Sequence, residues 1–113
     1  MSSEREQDRL QDIIDNIDAI DRYLDGRSFE AFAAECIVVD ATERCLSRIS
    51  EAVVKIGPDR MGVIAPEIPT ERVRGLGNLL RHEYDVVDLE QIYILIHKSL
   101  PPLRAAAARA LEA

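Results

Sequence analysis

Leu10, Ile13, Ile17, Ile20 and Leu24 recur at intervals of three and four residues. A strand alternates faces every second residue and cannot gather these five on one side, whereas an α-helix places them in a single seam. A helix with one apolar seam must bury it against other helices or a sheet, and the rest of the chain offers no convincing strand. Asp25-Gly26 stops this first helix. Ser28 can cap a second, whose stripe reads Phe32, Cys36, Val39, Leu46, Ile49, Val53 and Ile56. The position between Val39 and Leu46 falls on Thr42 or Glu43, so a polar residue interrupts the seam. Gly57-Pro58 is expected to end this helix.

Residues 57–69 carry two glycines and three prolines and read as the longest loop of the chain. A third helix is expected from about Pro69 to His82 or Tyr84. Asp88 and Gln91 have capping-box spacing for a fourth, which carries Leu89, Ile92, Leu95 and Ile96. Pro101-Pro102 is expected to break it, and the Ala-rich "LRAAAARALEA" forms a short fifth helix. The expected fold is all-α, an antiparallel four-helix bundle with a short C-terminal fifth helix, in one domain over residues 1–113.

Charge and cysteine content narrow the function classes. Fourteen Lys and Arg against 21 Asp and Glu give a net charge of −7, which argues against a protein coated in basic surface for non-specific nucleic-acid binding. A local basic patch is compatible with it. Cys36 and Cys45 lie nine residues apart, on opposite sides of one helix, and cannot bridge. They are expected to be reduced core thiols. No apolar run reaches the ~20 residues needed to span a bilayer, and the polar N-terminus does not resemble a signal peptide. A cytoplasmic protein without membrane association is expected.

The chemistry is concentrated in "GLGNLLRHEYDVVD", Gly75 to Asp88. On the third helix Val73, Leu76, Leu80 and Tyr84 share the core face. Arg74, Asn78, Arg81 and His82 form a compact polar patch on the other side, with Asn78 and His82 neighbours at i, i+4. A solvated helix face carries such residues too. Here, however, a His titrating near neutrality sits with two guanidiniums suited to phosphate and a carboxamide. No nucleophilic Ser or Cys pairs with His82, and His82 with Glu83 supplies too few ligands for a metal. A phosphate-directed acid/base site fits these residue types best. Glu43 reads as a carboxylate at the edge of the second stripe, and His97 as a residue near the end of the fourth helix.

The segment "IPTERVRGLGNLLRHEYDVVDLEQIYILIHKSLPPL" resembles the HepT-like toxins of the HEPN superfamily, whose pattern is Arg-Asn-x-x-x-His-x-Tyr followed by Val-Asp and a helix ending near Leu-Pro. The specific part of the resemblance covers residues 68–103. Asn78, His82 and Tyr84 match the pattern. The motif Arg does not, because that position is Gly77. The resemblance implies a homodimer whose paired motifs meet at the interface, a metal-independent endoribonuclease acting on RNA without a cofactor, and control by a cognate antitoxin. That antitoxin is often a minimal nucleotidyltransferase that transfers AMP to the motif Tyr, here Tyr84. Catalysis would rest on His82, Asn78 and Arg81, with Arg74, Arg81 and Tyr84 contacting substrate. Arg81 lies one helical turn beyond Gly77 and can lean back over the vacated position; Arg74 or a residue of the second subunit could also supply the charge. A second reading is a HEPN bundle that dimerises and binds antitoxin or nucleotide without cleaving, which Gly77 favours.

Overall fold

The computed structural model describes residues 4–68 and 86–113, the side chains of 86–88 excepted. Among the described residues every element is a helix: α1 (Glu4–Leu24), α2 (Phe29–Ala33), α3 (Cys36–Ile56), α4 (Pro58–Ile64) and α5 (Val86–Glu112). The all-α bundle expected from the apolar periodicity is the fold observed. The expected third helix, from about Pro69 to His82 or Tyr84, lies outside the described residues.

α1 is organised by its seam. Leu10, Ile13, Ile17, Ile20 and Leu24 are all buried, and α1 packs against both α3 and α5. Asp25 and Gly26 end it with positive φ, 44° and 74°, while the Asp25 N–H donates to the Asp21 carbonyl at 3.0 Å. A left-handed exit of this kind satisfies carbonyls that the helix end leaves open. Ser28 then caps α2 as expected, its Oγ accepting from the Ala31 N–H at 3.2 Å.

The long second helix expected from Ser28 to Ile56 is two helices. Ala34 and Glu35 interrupt it, Glu35 in an extended conformation at φ −108° and ψ 92°. The Ala34 N–H reaches back to Glu30, and the Glu35 N–H to Phe32, each at 3.1 Å. Neither Gly nor Pro marks the break. Its partner in space is an aromatic cluster: Phe32 is fully buried, and Tyr93 of α5 meets both Phe29 and Phe32 with ring centroids 5.7 and 5.8 Å away. Seating these rings takes precedence over helical continuity. A consequence is that Cys36, placed in the core stripe by its spacing, begins α3 exposed to solvent, whereas Cys45 is buried.

Gly57 and Pro58 were expected to open a loop. They instead end one helix and begin another. Gly57 adopts φ 93°, its N–H capping α3 through the Val53 carbonyl at 3.1 Å, and its own carbonyl accepts from the Met61 N–H at 3.0 Å. A Cβ at this site would meet nothing within 4 Å, so the positive φ, not space, calls for glycine. Pro58 occupies the first helical position, where its missing N–H costs nothing.

α5 is described from Val86, so Asp88 lies within the helix and is not its cap. Acidic residues are favoured at a cap and in a first turn alike, and spacing alone does not separate the two. α5 also runs through Pro101 and Pro102, where a break was expected. Two ring nitrogens withhold hydrogen bonds from the carbonyls of His97 and Lys98. Buried residues on both sides of the pair, Leu100, Leu103, Ala106 and Ala107, keep one apolar stripe in register across it. The Ala-rich segment is therefore helical, as expected, and continuous with α5. Beyond the prolines Arg104 grips Asp18 of α1 through two hydrogen bonds of 2.7 and 3.1 Å.

These contacts give direction to the bundle. Tyr93, early in α5, donates its hydroxyl to the Arg27 carbonyl after α1 at 2.6 Å. Arg109, late in α5, pairs with Glu67 beyond α4, and α4 reaches the start of α1 through Arg60 and Glu6. Thus α3 and α5 both run antiparallel to α1, with α2 at one end and α4 at the other.

Candidate active site

Arg74, Gly77, Asn78, Arg81, His82 and Tyr84 all fall in residues 69–85, outside the described residues. The structure describes the frame from which that segment departs and to which it returns. On the leading side Ile68 is buried, and its N–H donates to the Ala65 carbonyl at 3.1 Å. On the trailing side is α5, whose Ile92 is fully buried. The described residues on either side of the motif segment thus include core positions, Ile68 and Ile92.

Three polar positions on this frame bear on chemistry. Thr42, the residue that interrupts the α3 stripe, is wholly buried, and its hydroxyl has no hydrogen-bond partner among the described residues. Glu43, beside it, is half-buried and engaged, at the edge of the stripe as its spacing suggested. His97 lies in the middle of α5, not near its end as expected. It is exposed, stacks on Tyr93 with centroids 4.3 Å apart, and its Nδ1 lies 2.9 Å from the Tyr93 carbonyl. That engagement within its own helix leaves His97 as a cover for the aromatic cluster. Among the described residues no three His, Cys, Asp or Glu side chains gather as a metal site would require. Cys45 is held as a thiol: burial pushes its pKa up, against the opposing influence of Arg48 and Arg22. Among the described residues no helix is long and apolar enough to cross a membrane.

One feature of the surface escaped the sequence reading. Arg5, Arg9, Lys55 and Arg60, from three helices, line a groove of about 540 Å³ with Glu6 and Ile56. Glu6 is nearly covered, and both its oxygens are held by Arg60, Nε at 2.6 Å and Nη2 at 3.0 Å. The cations are scattered between residues 5 and 60 among carboxylates, so no run of basic residues announces them. Only the folding of α3 and α4 against α1 brings them together.

Comparison with known proteins assigns the chain. The family profile described as "Ribonuclease HepT-like" matches residues 13–110, a span that contains the Asn78, His82 and Tyr84 motif together with α2 to α4 and most of α1 and α5. The chain belongs to the HepT-like ribonuclease family. Two proteins of Methanocaldococcus jannaschii, provisionally named RNase MJ1216 and RNase MJ0125, are each 30% identical to this HepT-like chain over 95 residues. The aligned region covers 84% of this chain in both cases, and 78% and 81% of the respective relatives. No solved structure matches the chain significantly.

Proposed function

We propose that this HepT-like protein is the toxin of a toxin–antitoxin pair and cleaves RNA without a metal ion, at a site composed from two subunits. The observation that carries the reading is the Asn78-x-x-x-His82-x-Tyr84 motif inside a chain matched by the ribonuclease family along nearly its whole length. Without a metal to activate water, the nucleophile at hand is the ribose 2′-hydroxyl. Its oxygen bonds to phosphorus while the bond from phosphorus to the 5′-oxygen breaks. One His82 takes the 2′-hydroxyl proton, and the His82 of a second subunit protonates the departing 5′-oxygen. Asn78 orients the phosphate or the imidazole. Arg81 or Arg74 supplies the positive charge that Gly77 cannot, a contribution on the order of 10²–10³ in rate where such a group is lost.

Control falls to Tyr84 in this reading. A cognate nucleotidyltransferase would join the Tyr84 oxygen to the α-phosphorus of ATP, releasing pyrophosphate. The added AMP brings bulk and negative charge to a site that must accept RNA.

The test is cleavage of RNA in the presence of EDTA. The wild-type protein should cut and His82→Ala should not. Gly77 specifically favours the second reading, a bundle that dimerises and binds antitoxin or nucleotide without cleaving. Gly77→Arg separates the two: a gain in cleavage marks a weakened enzyme, whereas a folded dimer that stays inert marks a binding module. A strictly monomeric mass in light scattering at micromolar concentration would remove the composite site from either.

A further inference from the structure

We infer that the groove formed by Arg5, Arg9, Lys55 and Arg60 is a secondary binding track for the phosphate backbone of single-stranded RNA. The inference rests on the ribonuclease reading for the identity of the polyanion. The groove itself stands on the geometry of α1, α3 and α4.

Four cations converge there on a chain whose net charge is −7. Their availability differs. Arg60 is committed: it grips Glu6 at both oxygens and thereby neutralises the one carboxylate among the described lining residues. The other three are less committed. Arg5 is exposed and has no ion pair among the described residues. Arg9 touches Asp12 through a single contact of 3.4 Å, and Lys55 touches Glu51 at 2.9 Å. Both are solvated pairs within one helix, of the kind that contribute little and can be exchanged for a better anion. Arg5 and Arg9 stand four residues apart on one helix face, about 6 Å along the axis, so α1 presents a row of charge. Lys55 extends it from α3. A row of cations fits a polyanion better than a single small anion. Ile56 adds an apolar wall, and the described lining residues include no aromatic ring on which a base could stack. Contacts to phosphate without base readout hold a strand in place but do not select its sequence. The track would thus add affinity and local concentration, and leave sequence preference to the cleaving site.

The experiment uses the full chain carrying His82→Ala, so that no cleavage consumes the probe, and measures anisotropy of an end-labelled oligouridylate across a range of salt concentrations. Arg5→Glu, Arg9→Glu and Lys55→Glu are combined, leaving Arg60 to hold Glu6. Binding should weaken on the order of tenfold or more, and the slope of log affinity against log salt should flatten by about two, the value for three lost phosphate contacts on a single strand. Arg22→Glu with Arg48→Glu and Lys98→Glu, an equal charge change at exposed positions outside the groove, should keep the parent's slope. Should the triple variant unfold, Arg5→Glu alone, at an exposed position in the first turn of α1, should still flatten the slope by about one. An unchanged slope in folded variants overturns the proposal. So does a parent protein that does not bind the oligouridylate, or a polyglutamate peptide that displaces it with equal affinity. RNA held by the groove of a protein that leaves RNA intact would instead reject the ribonuclease reading while the groove stands.

Discussion

Replacing Thr42 by Val should stabilise this protein. Thr42 is 0% exposed in the core-facing stripe of α3, and its Oγ1 is buried without a hydrogen-bond partner among the described residues. An unsatisfied hydroxyl costs about 1–3 kcal/mol in protein interiors. Valine puts a methyl group in nearly the same volume, and the helix propensities of the two residues are similar, so no backbone cost offsets the gain. A stabilisation of about 1–2 kcal/mol is expected, which for a domain of this size raises Tm by roughly 4–8 °C. Urea unfolding followed by circular dichroism should show a higher midpoint with an unchanged slope. Thr42→Ser is the counterpart: it keeps the hydroxyl, removes the methyl and should lower stability by about 1 kcal/mol. A Val variant less stable than the parent would refute the reasoning, because it would mean that the hydroxyl is bonded in the native protein. A Val variant that is more stable yet slower in RNA cleavage would show instead that the hydroxyl is retained for the motif segment at the expense of stability.

The remaining predictions concern the thiols, the α1–α5 bond and the proline pair. A thiol reagent should modify exposed Cys36 quickly in the native state and buried Cys45, whose pKa is raised by desolvation, only on unfolding; equal rates would contradict the placement of Cys36 at the head of α3. The hydrogen bonds from Arg104, followed by charge attraction, hold Asp18 below its ordinary pKa. A depressed folded-state pKa adds stability that is present above the unfolded value near 3.9 and is lost as pH falls through the folded one. Asp18→Asn should therefore be modestly less stable than the parent at pH 7, with the difference vanishing in acid; a gap that persists in acid would sink the assignment. Pro101→Ala restores a helical N–H at an exposed position and should stabilise by about 1–3 kcal/mol. A loss in thermal denaturation would show that the proline pair shapes α5 so that Leu100 and Leu103 can both be buried.

The reliability of each sequence signal followed from how local its physics is. The α1 seam needed only helical periodicity and a partner, and all five of its residues are buried. Ser28 and Asp25-Gly26 acted through their own backbone geometry and did what their residue types favour. Gly57-Pro58 misled because the same dipeptide that ends one helix is equally suited to starting another. The break at Ala34-Glu35 was invisible because its cause, the packing of Phe29 and Phe32 against Tyr93, spans more than sixty positions of sequence. Pro101-Pro102 misled for a related reason. A local penalty was outweighed by the burial of Leu103, Ala106 and Ala107 beyond it, which no window around the prolines contains. The motif was the opposite case: Asn78, His82 and Tyr84 were legible as a set, while the described residues give only the frame on either side of them.

That contrast bears on how a small acidic protein can handle RNA. The motif alone carries two guanidiniums, Arg74 and Arg81, with Gly77 where a third would complete the family pattern. An enzyme short of one charge at its reacting phosphate can recover affinity, though not transition-state stabilisation, by holding the strand elsewhere. In the proposed reading the Arg5–Arg9–Lys55 row is such a hold. In that reading it raises the occupancy of the site at low salt and leaves the charge at the scissile phosphate to the motif. Charge reversal in the row should therefore raise KM for RNA and leave kcat near the parent value, whereas Gly77→Arg should act on kcat. A fall in kcat on reversing the row, with KM unchanged, would mean that these cations reach the reacting phosphate themselves, and the division between a binding track and a cleaving site would have to be abandoned.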